Sequence, residues 1–183
     1  MGYTRVAYHF NIMELTKLLN ELLKVLKIDE AEEIPKALFN AVINKDVEVF
    51  DAYLNVVNGN LNTDYLQNVY QYYFANRKEL GQDFTPESLA KLLGEITKGA
   101  DEVIDLCSGS GALTIQAWSL NPNRSFICYE IDDIVIPFLL FNLCVRNIKG
   151  WVYHQNLFNN KKSVIYELIQ SEKYSEVKIV RNN

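Results

Sequence analysis

At 183 residues, nearly half of them apolar, the chain is long enough to bury a real core, as one domain with an attached element. A formal net charge of -5 and the lack of any Lys/Arg cluster argue against a free-standing nucleic-acid surface, because phosphate contacts need clustered cations. No apolar run approaches a membrane span, and Met1-Gly2-Tyr3-Thr4-Arg5 is not followed by the hydrophobic segment of a signal peptide, so a cytoplasmic protein is expected. Cys107, Cys128 and Cys144 lie in unrelated segments with no Cys-x-x-Cys pair and read as free thiols. With only His9 and His154 available, and neither at ligand spacing, no metal site is expected.

In chain order, residues 11–27 place Leu15, Leu18, Leu19, Leu22 and Leu26 around a broad helical stripe, and residues 34–43 and 47–57 repeat the pattern. Asn58-Gly59-Asn60 breaks the last of these helices. Residues 64–78 resume with Tyr65, Val69, Tyr70, Tyr72, Tyr73 and Phe74. Aromatic side chains without basic neighbours are better suited to packing on a neighbouring element than to stacking on bases. These helices make up an N-terminal element over residues 1–60, with a soft boundary near Asn58 to Asn62.

Gly81-Gln82-Asp83-Phe84-Thr85-Pro86-Glu87 then precedes an amphipathic run over residues 88–96. Thr85 is a good N-cap, and Pro86 at the first helical position loses no hydrogen bond. Next comes the apolar strand Glu102-Val103-Ile104, and it leads into Asp105-Leu106-Cys107-Ser108-Gly109-Ser110-Gly111, followed by a helix over residues 112–120. Two glycines let backbone pass close under a ligand, and the helix start offers free N–H groups. Dinucleotide loops carry a third glycine where this chain has Thr114, so NAD fits poorly. The Asp-x-x-x-Gly-x-Gly pattern suits a ligand with an ammonium end and a neutral linkage, which describes S-adenosylmethionine (SAM). About twenty residues on, the strand Ser125-Phe126-Ile127-Cys128-Tyr129 ends at Glu130, where a carboxylate can accept from both ribose hydroxyls.

Residues 133–148 read as a helix with Pro137 in its first turn, 151–154 as a strand, 161–171 as a helix beginning at Lys161-Lys162, and 177–180 as a strand. Such alternation predicts an α/β domain: a mostly parallel, Rossmann-like sheet with helices on both faces. Ligands of such sheets bind outside the carboxyl ends of the strands, where Asp105, Glu130 and Asn156 all fall.

From about Tyr65 onward the order of pieces resembles the N6-adenine DNA methyltransferases, in particular the modification subunits of type I restriction systems. Gly81 to Pro86 looks like the family's methionine-pocket segment, Asp105 to Gly111 like its cofactor loop, and Tyr129-Glu130-Ile131-Asp132 like its ribose clamp. His154-Gln155-Asn156-Leu157 sits where the family places a Gly-Asp-Ser/Thr-Leu turn, with Asn156 at the Asp position. Two departures stand out. Asp83 replaces an aromatic residue, and after the last strand the chain reads Arg181-Asn182-Asn183 where the family continues into Asn/Asp-Pro-Pro-Tyr/Phe, the motif that holds the flipped adenine.

The resemblance implies a SAM-binding methyltransferase domain over residues 61–183, incomplete at or before the Asn-Pro-Pro-aromatic motif. It assigns Asp105 to the methionine ammonium, with Cys107, Ser108, Gly109 and Gly111 in the loop and Gln82, Phe84, Thr85 and Pro86 over the methionine end. Glu130 takes the ribose, Ile131 the adenine ring, Asn156 the adenine amino group, with Leu157 beside it among the cofactor-binding residues, and Asn183 or Asn182 the remnant catalytic position. DNA recognition is then expected from missing sequence or from a specificity or other partner subunit, with neither membrane nor metal involved. Two other readings remain open at this point: a catalytically inactive SAM-binding or protein-interaction module, and methylation of a different acceptor such as RNA or a small molecule.

Overall fold

The computed structural model describes residues 12–75, 85–158 and 164–181. Four helices come first: α1 (Ile12–Leu26), α2 (Ile34–Ile43), α3 (Val47–Val56) and α4 (Tyr65–Tyr73), with a short 3-10 turn, Ala31–Glu33, before α2. Their starts are set by local chemistry. Asp46 caps α3 by accepting from the Val49 N–H at 3.2 Å, and Asp64 caps α4 by accepting from the Gln67 N–H at 3.0 Å. Between them Asn58 and Gly59 take left-handed conformations that end α3.

The rest of the chain runs α5 (Glu87–Thr97), β1 (Glu102–Asp105), α6 (Ala112–Leu120), β2 (Ser125–Glu130), α7 (Ile136–Val145), β3 (Lys149–His154), β4 (Val164–Ile169) and β5 (Glu176–Arg181). The strands form one sheet in the order β1-β2-β3-β4-β5. β1, β2 and β3 are parallel, and their βαβ crossovers are α6 and α7. β4 is antiparallel to β3, and β5 to β4.

Two expectations are corrected here. Residues 161–171, expected as a helix, contain the strand β4 instead. Ile165, Leu168 and Ile169 have helical spacing, but the buried positions are Tyr166 and Leu168, two apart, as a strand requires. With β4 antiparallel, the sheet is mixed. The expected helices on both faces are also not what the described residues show. Strand register puts Asp105, Cys128, Val152 and Tyr166 side by side on one face, where α6 reaches them through Thr114 and α2 through Phe39, whose ring lies 6.2 Å from that of Tyr166. The alternate residues, including Ile104, Ile127 and Trp151, are exposed or half-buried.

The N-terminal helices share the core of this sheet. Phe50 and Tyr53 of α3 each lie 5.1 Å from the Phe141 ring of α7, and Phe50 lies 4.9 Å from Tyr174 ahead of β5. On α4, Tyr70 packs edge-on against Phe138 at 5.4 Å, which is the packing role expected for the aromatic face. All ten residues of α7 are buried, so it is the shared centre of both parts.

One glycine sets the spacing of β2 and β3. Gly150 has φ +143°, and a Cβ there would lie 1.8 Å from the Phe126 carbonyl oxygen. Gly150→Ala is therefore expected to lower stability by about 3 kcal/mol or more, because backbone rather than a movable side chain must give way. A urea titration of the two proteins checks it.

Candidate functional site

At the carboxyl ends of β1 and β2 lies a cavity of about 360 Å³, within the range of small-molecule sites. Its floor is the turn after β1. The Ser108 N–H donates to the Tyr129 carbonyl at 3.0 Å, which ties the turn to β2, and the Gly111 N–H donates to the Ser108 carbonyl at 2.8 Å. Both glycines take left-handed conformations, φ +53° at Gly109 and φ +104° at Gly111. Gly111 is the N-cap of α6, and a Cβ there would press to 3.1 Å of the Leu139 methyl, whereas at Gly109 the space is open, as close approach of a ligand requires. Ala112 and Leu113, the first turn of α6, also line the cavity.

Asp105 ends β1 beneath this turn and is only 8 % exposed. Its Oδ2 accepts from the Thr114 hydroxyl at 3.0 Å and its Oδ1 from the Cys107 N–H at 3.4 Å. Burial pushes its carboxyl above the usual carboxylate range; the two donors oppose that, and the nearby Glu130 charge adds to it. No basic side chain among the described residues pairs with it. A buried carboxylate without a cation is an electrostatic cost that a ligand ammonium removes. Thr114, in the place of the dinucleotide loop's third glycine, is thus an orienting group for Asp105.

Glu130 holds the other side of the turn. Its Oε2 accepts from the Gly109 N–H at 2.7 Å, while Oε1 accepts from the N–H groups of Ile131 and Asp132 at 2.8 and 2.9 Å. Three backbone donors fix the carboxylate's plane and take three of its roughly four acceptor sites, leaving one on Oε2 of a residue that lines the cavity. Beside it, the Gln155 N–H donates to the Glu130 carbonyl at 2.8 Å and carries the β2–β3 ladder one step past His154. The turn Asn156–Phe158 is thereby brought against the clamp. Asn156 Oδ1 accepts from the Phe158 N–H at 2.9 Å, so one of its two acceptor positions is already engaged.

Of the residues singled out by sequence, Thr85, Cys107, Ser108, Gly109, Glu130, Ile131, Asn156 and Leu157 line this one cavity; Asp105 and Gly111 do not line it but are bonded to the lining residues Cys107 and Ser108. Pro86, not Thr85, is the N-cap of α5, and no side-chain bond caps that helix; Thr85 instead precedes it and faces the cavity. Gln82, Phe84, Asn182 and Asn183 lie outside the described residues. β5, which leads to the two asparagines, stands four places from β1 in the sheet.

Several lining residues were not foreseen. Gln67 and Tyr70 come from α4, whose aromatic pattern gave no sign that one edge would wall a cavity. Tyr70 is held there by its hydroxyl bond to Asp132. Ser110, between the glycines, also lines the cavity, and its hydroxyl is bonded to Asp64 at 2.6 Å. Phe158 is 98 % exposed at the cavity mouth, with no sequence signal beyond being aromatic.

Among known proteins, the family model described as N-6 DNA Methylase matches residues 61–181, which takes in α4, the whole sheet and every described residue of the cavity. No curated protein and no solved structure matches the chain. The match covers well over half of the sequence, and with the strand-turn-helix site it includes, the chain belongs to the N-6 DNA methylase family.

Proposed function

We propose that this chain is the SAM-binding part of a DNA adenine-N6 methyltransferase of the restriction-modification type, with a Rossmann-like cofactor domain. The observation that carries the reading is the pairing of Asp105 with Glu130 across one left-handed glycine turn. One carboxylate is buried, with no basic partner among the described residues; the other is fixed by three backbone N–H groups at the cavity wall. A ligand that brings an ammonium to the first and a ribose diol to the second, joined by a linker without phosphate, satisfies both. SAM is such a ligand, and when bound it supplies an electrophilic methyl group.

The residues have separable tasks in this reading. Asp105 takes the ammonium, Gly109 and Gly111 let the backbone approach, and Glu130 accepts from the ribose through its remaining Oε2 site. Ile131 and Leu157, 47 % and 44 % exposed, offer apolar surface to the adenine, and the free acceptor position of Asn156 faces its amino group. Thr85 and Pro86 approach the methionine end. The chain's contribution to transfer is orientation and exclusion of water, with no general base needed on this side of the site.

The acceptor side is a separate matter. β5 stands three places from β2, about 14 Å across the sheet. A second reading is that this chain serves to bind SAM, with the base pocket and the DNA contacts supplied from outside the described residues or by a partner subunit. The net charge of -5 agrees with DNA affinity residing elsewhere.

Calorimetric titration with SAM, S-adenosylhomocysteine and NAD tests the reading. Micromolar binding of the two adenosyl ligands and none of NAD is expected, and Glu130→Ala should weaken binding about 10- to 100-fold through the lost charged hydrogen bonds. A folded wild-type chain that binds neither adenosyl ligand would overturn it.

Asp105 carries a further test with opposite signs for stability and binding. Its carboxyl is raised in the folded chain, so its contribution to apo stability is full below the unfolded value near 3.8 and is lost as pH rises through the folded value. At neutral pH Asp105→Asn should therefore raise the melting temperature of the ligand-free chain by ~2–4 °C while abolishing SAM binding. Binding by the wild type should weaken as pH falls through that raised value, because the neutral acid cannot pair with an ammonium. Scanning calorimetry of both proteins without ligand, and titrations from neutral to acid pH, read both effects.

A further inference from the structure

Asp64 is assigned by its position to a simple task, the N-cap of α4. A cap needs one carboxylate oxygen. Asp46 shows that case at the start of α3, where its Oδ1 accepts from the Val49 N–H. Asp64 does more. Oδ1 accepts from the Gln67 N–H at 3.0 Å and also from Asn142 Nδ2 at 2.8 Å, while Oδ2 accepts from the Ser110 hydroxyl at 2.6 Å. The same Asn142 Nδ2 donates to the Ser110 carbonyl at 2.9 Å. Ser110, between the two left-handed glycines, is thus gripped by both its side chain and its backbone.

The grip is itself braced. Arg146, one turn beyond Asn142, donates through Nη1 to Asn142 Oδ1 at 2.9 Å, which sets the amide with its Nδ2 toward Asp64. Its Nε and Nη2 take the Leu61 and Thr63 carbonyls at 2.8 and 3.0 Å, and Gln116 of α6 takes the Asn62 carbonyl at 2.6 Å. Three successive carbonyls ahead of Asp64 are therefore held by side chains of α6 and α7. Asp64 is 7 % exposed, Asn142 fully buried, Arg146 3 % exposed and Ser110 3 % exposed, so water does not compete for these bonds.

We propose that Asp64 is a positioning residue for ligand binding: it fixes the Gly109-Ser110-Gly111 turn in its ligand-ready shape and thereby ties the turn to the N-terminal helices. The proposal rests on the reading of that turn as the adenosyl-ligand site, and a loop measurement separates the two. The left-handed glycines are free to leave their conformation at little cost, so a turn built on them needs an outside hold to stay ordered without ligand.

The experiment compares wild type with Asp64→Asn, Ser110→Ala and Asp46→Asn, reading S-adenosylhomocysteine affinity and hydrogen exchange of the amides from Gly109 to Leu113. Asp64→Asn sets an amide N–H₂ group against donors; its affinity should fall tenfold or more, and exchange in the turn should accelerate at least tenfold. Ser110→Ala removes one bond and should show three- to tenfold effects in the same direction. Asp46→Asn makes the same substitution at a cap whose carboxylate is bonded, among the described residues, only to the Val49 N–H, and because Asn caps about as well as Asp it should leave both readouts at wild-type values. Folded Asp64→Asn and Ser110→Ala chains with wild-type turn exchange and affinity would overturn the proposal. If Asp64→Asn does not fold, Ser110→Ala decides. If the wild type fails to bind S-adenosylhomocysteine, the ligand reading falls, and turn exchange alone decides whether Asp64 positions the turn.

Discussion

Helix α7 is buried along its whole length, and most of the molecule's organisation follows from that constraint. A helix that is apolar all round must be covered on every side. The sheet covers one side, and α2, α3 and α4 cover the others, through contacts such as Phe50 and Tyr53 on Phe141 and Tyr70 on Phe138. The N-terminal helices are therefore part of what allows the sheet domain to keep its second crossover helix. A polar residue in such a helix must be fully partnered, and Asn142 is: it gives its amide N–H₂ to Asp64 and Ser110 and receives from Arg146.

Two buried aspartates meet opposite circumstances around that helix. Burial raises the carboxyl of Asp64, yet Ser110, Asn142 and the Gln67 N–H bond to it and the Arg146 charge lies near, so its ionised form is stabilised from within the protein. Burial raises Asp105 as well, with only Thr114 and the Cys107 N–H in support and Glu130 adding repulsion. The first arrangement is complete as it stands. The second has no basic partner among the described residues, and on the proposed function the ligand's ammonium takes that place, a difference between a framework carboxylate and a binding one.

Sequence patterns revealed the parts of the site that depend on local order. Asp105, the two glycines and Glu130 stand at fixed distances from strand ends, and strand-turn-helix punctuation makes such positions readable. The helices of the N-terminal third were readable for the same reason, since a 3.6-residue stripe survives without knowledge of its neighbour. β4 was misread because Ile165, Leu168 and Ile169 satisfy helical spacing by themselves; only the partner strands β3 and β5 show that Tyr166 and Leu168 are the inward positions. Asp64 carries no sequence signal beyond that of an ordinary N-cap, since two of its three hydrogen-bond partners are 46 and 78 residues away. No local pattern reports a bond of that span.

The sheet's order also bears on how the reaction is divided. Beyond β3, the sheet grows by two antiparallel strands on the side away from β1, and the Asn156–Phe158 turn walls that flank of the cavity. β1 is an edge strand among the described residues, with Ile104 57 % and Leu106 55 % exposed at and just beyond it. Parallel strands are ordinarily covered on both faces and paired at their edges, because their apolar side chains and slanted hydrogen bonds gain little from water. Among the described residues, the β1 side of the cavity is therefore bordered by a strand edge. On the proposed function, the carboxylates at the ends of β1 and β2 hold the donor still while the adenine is presented to it.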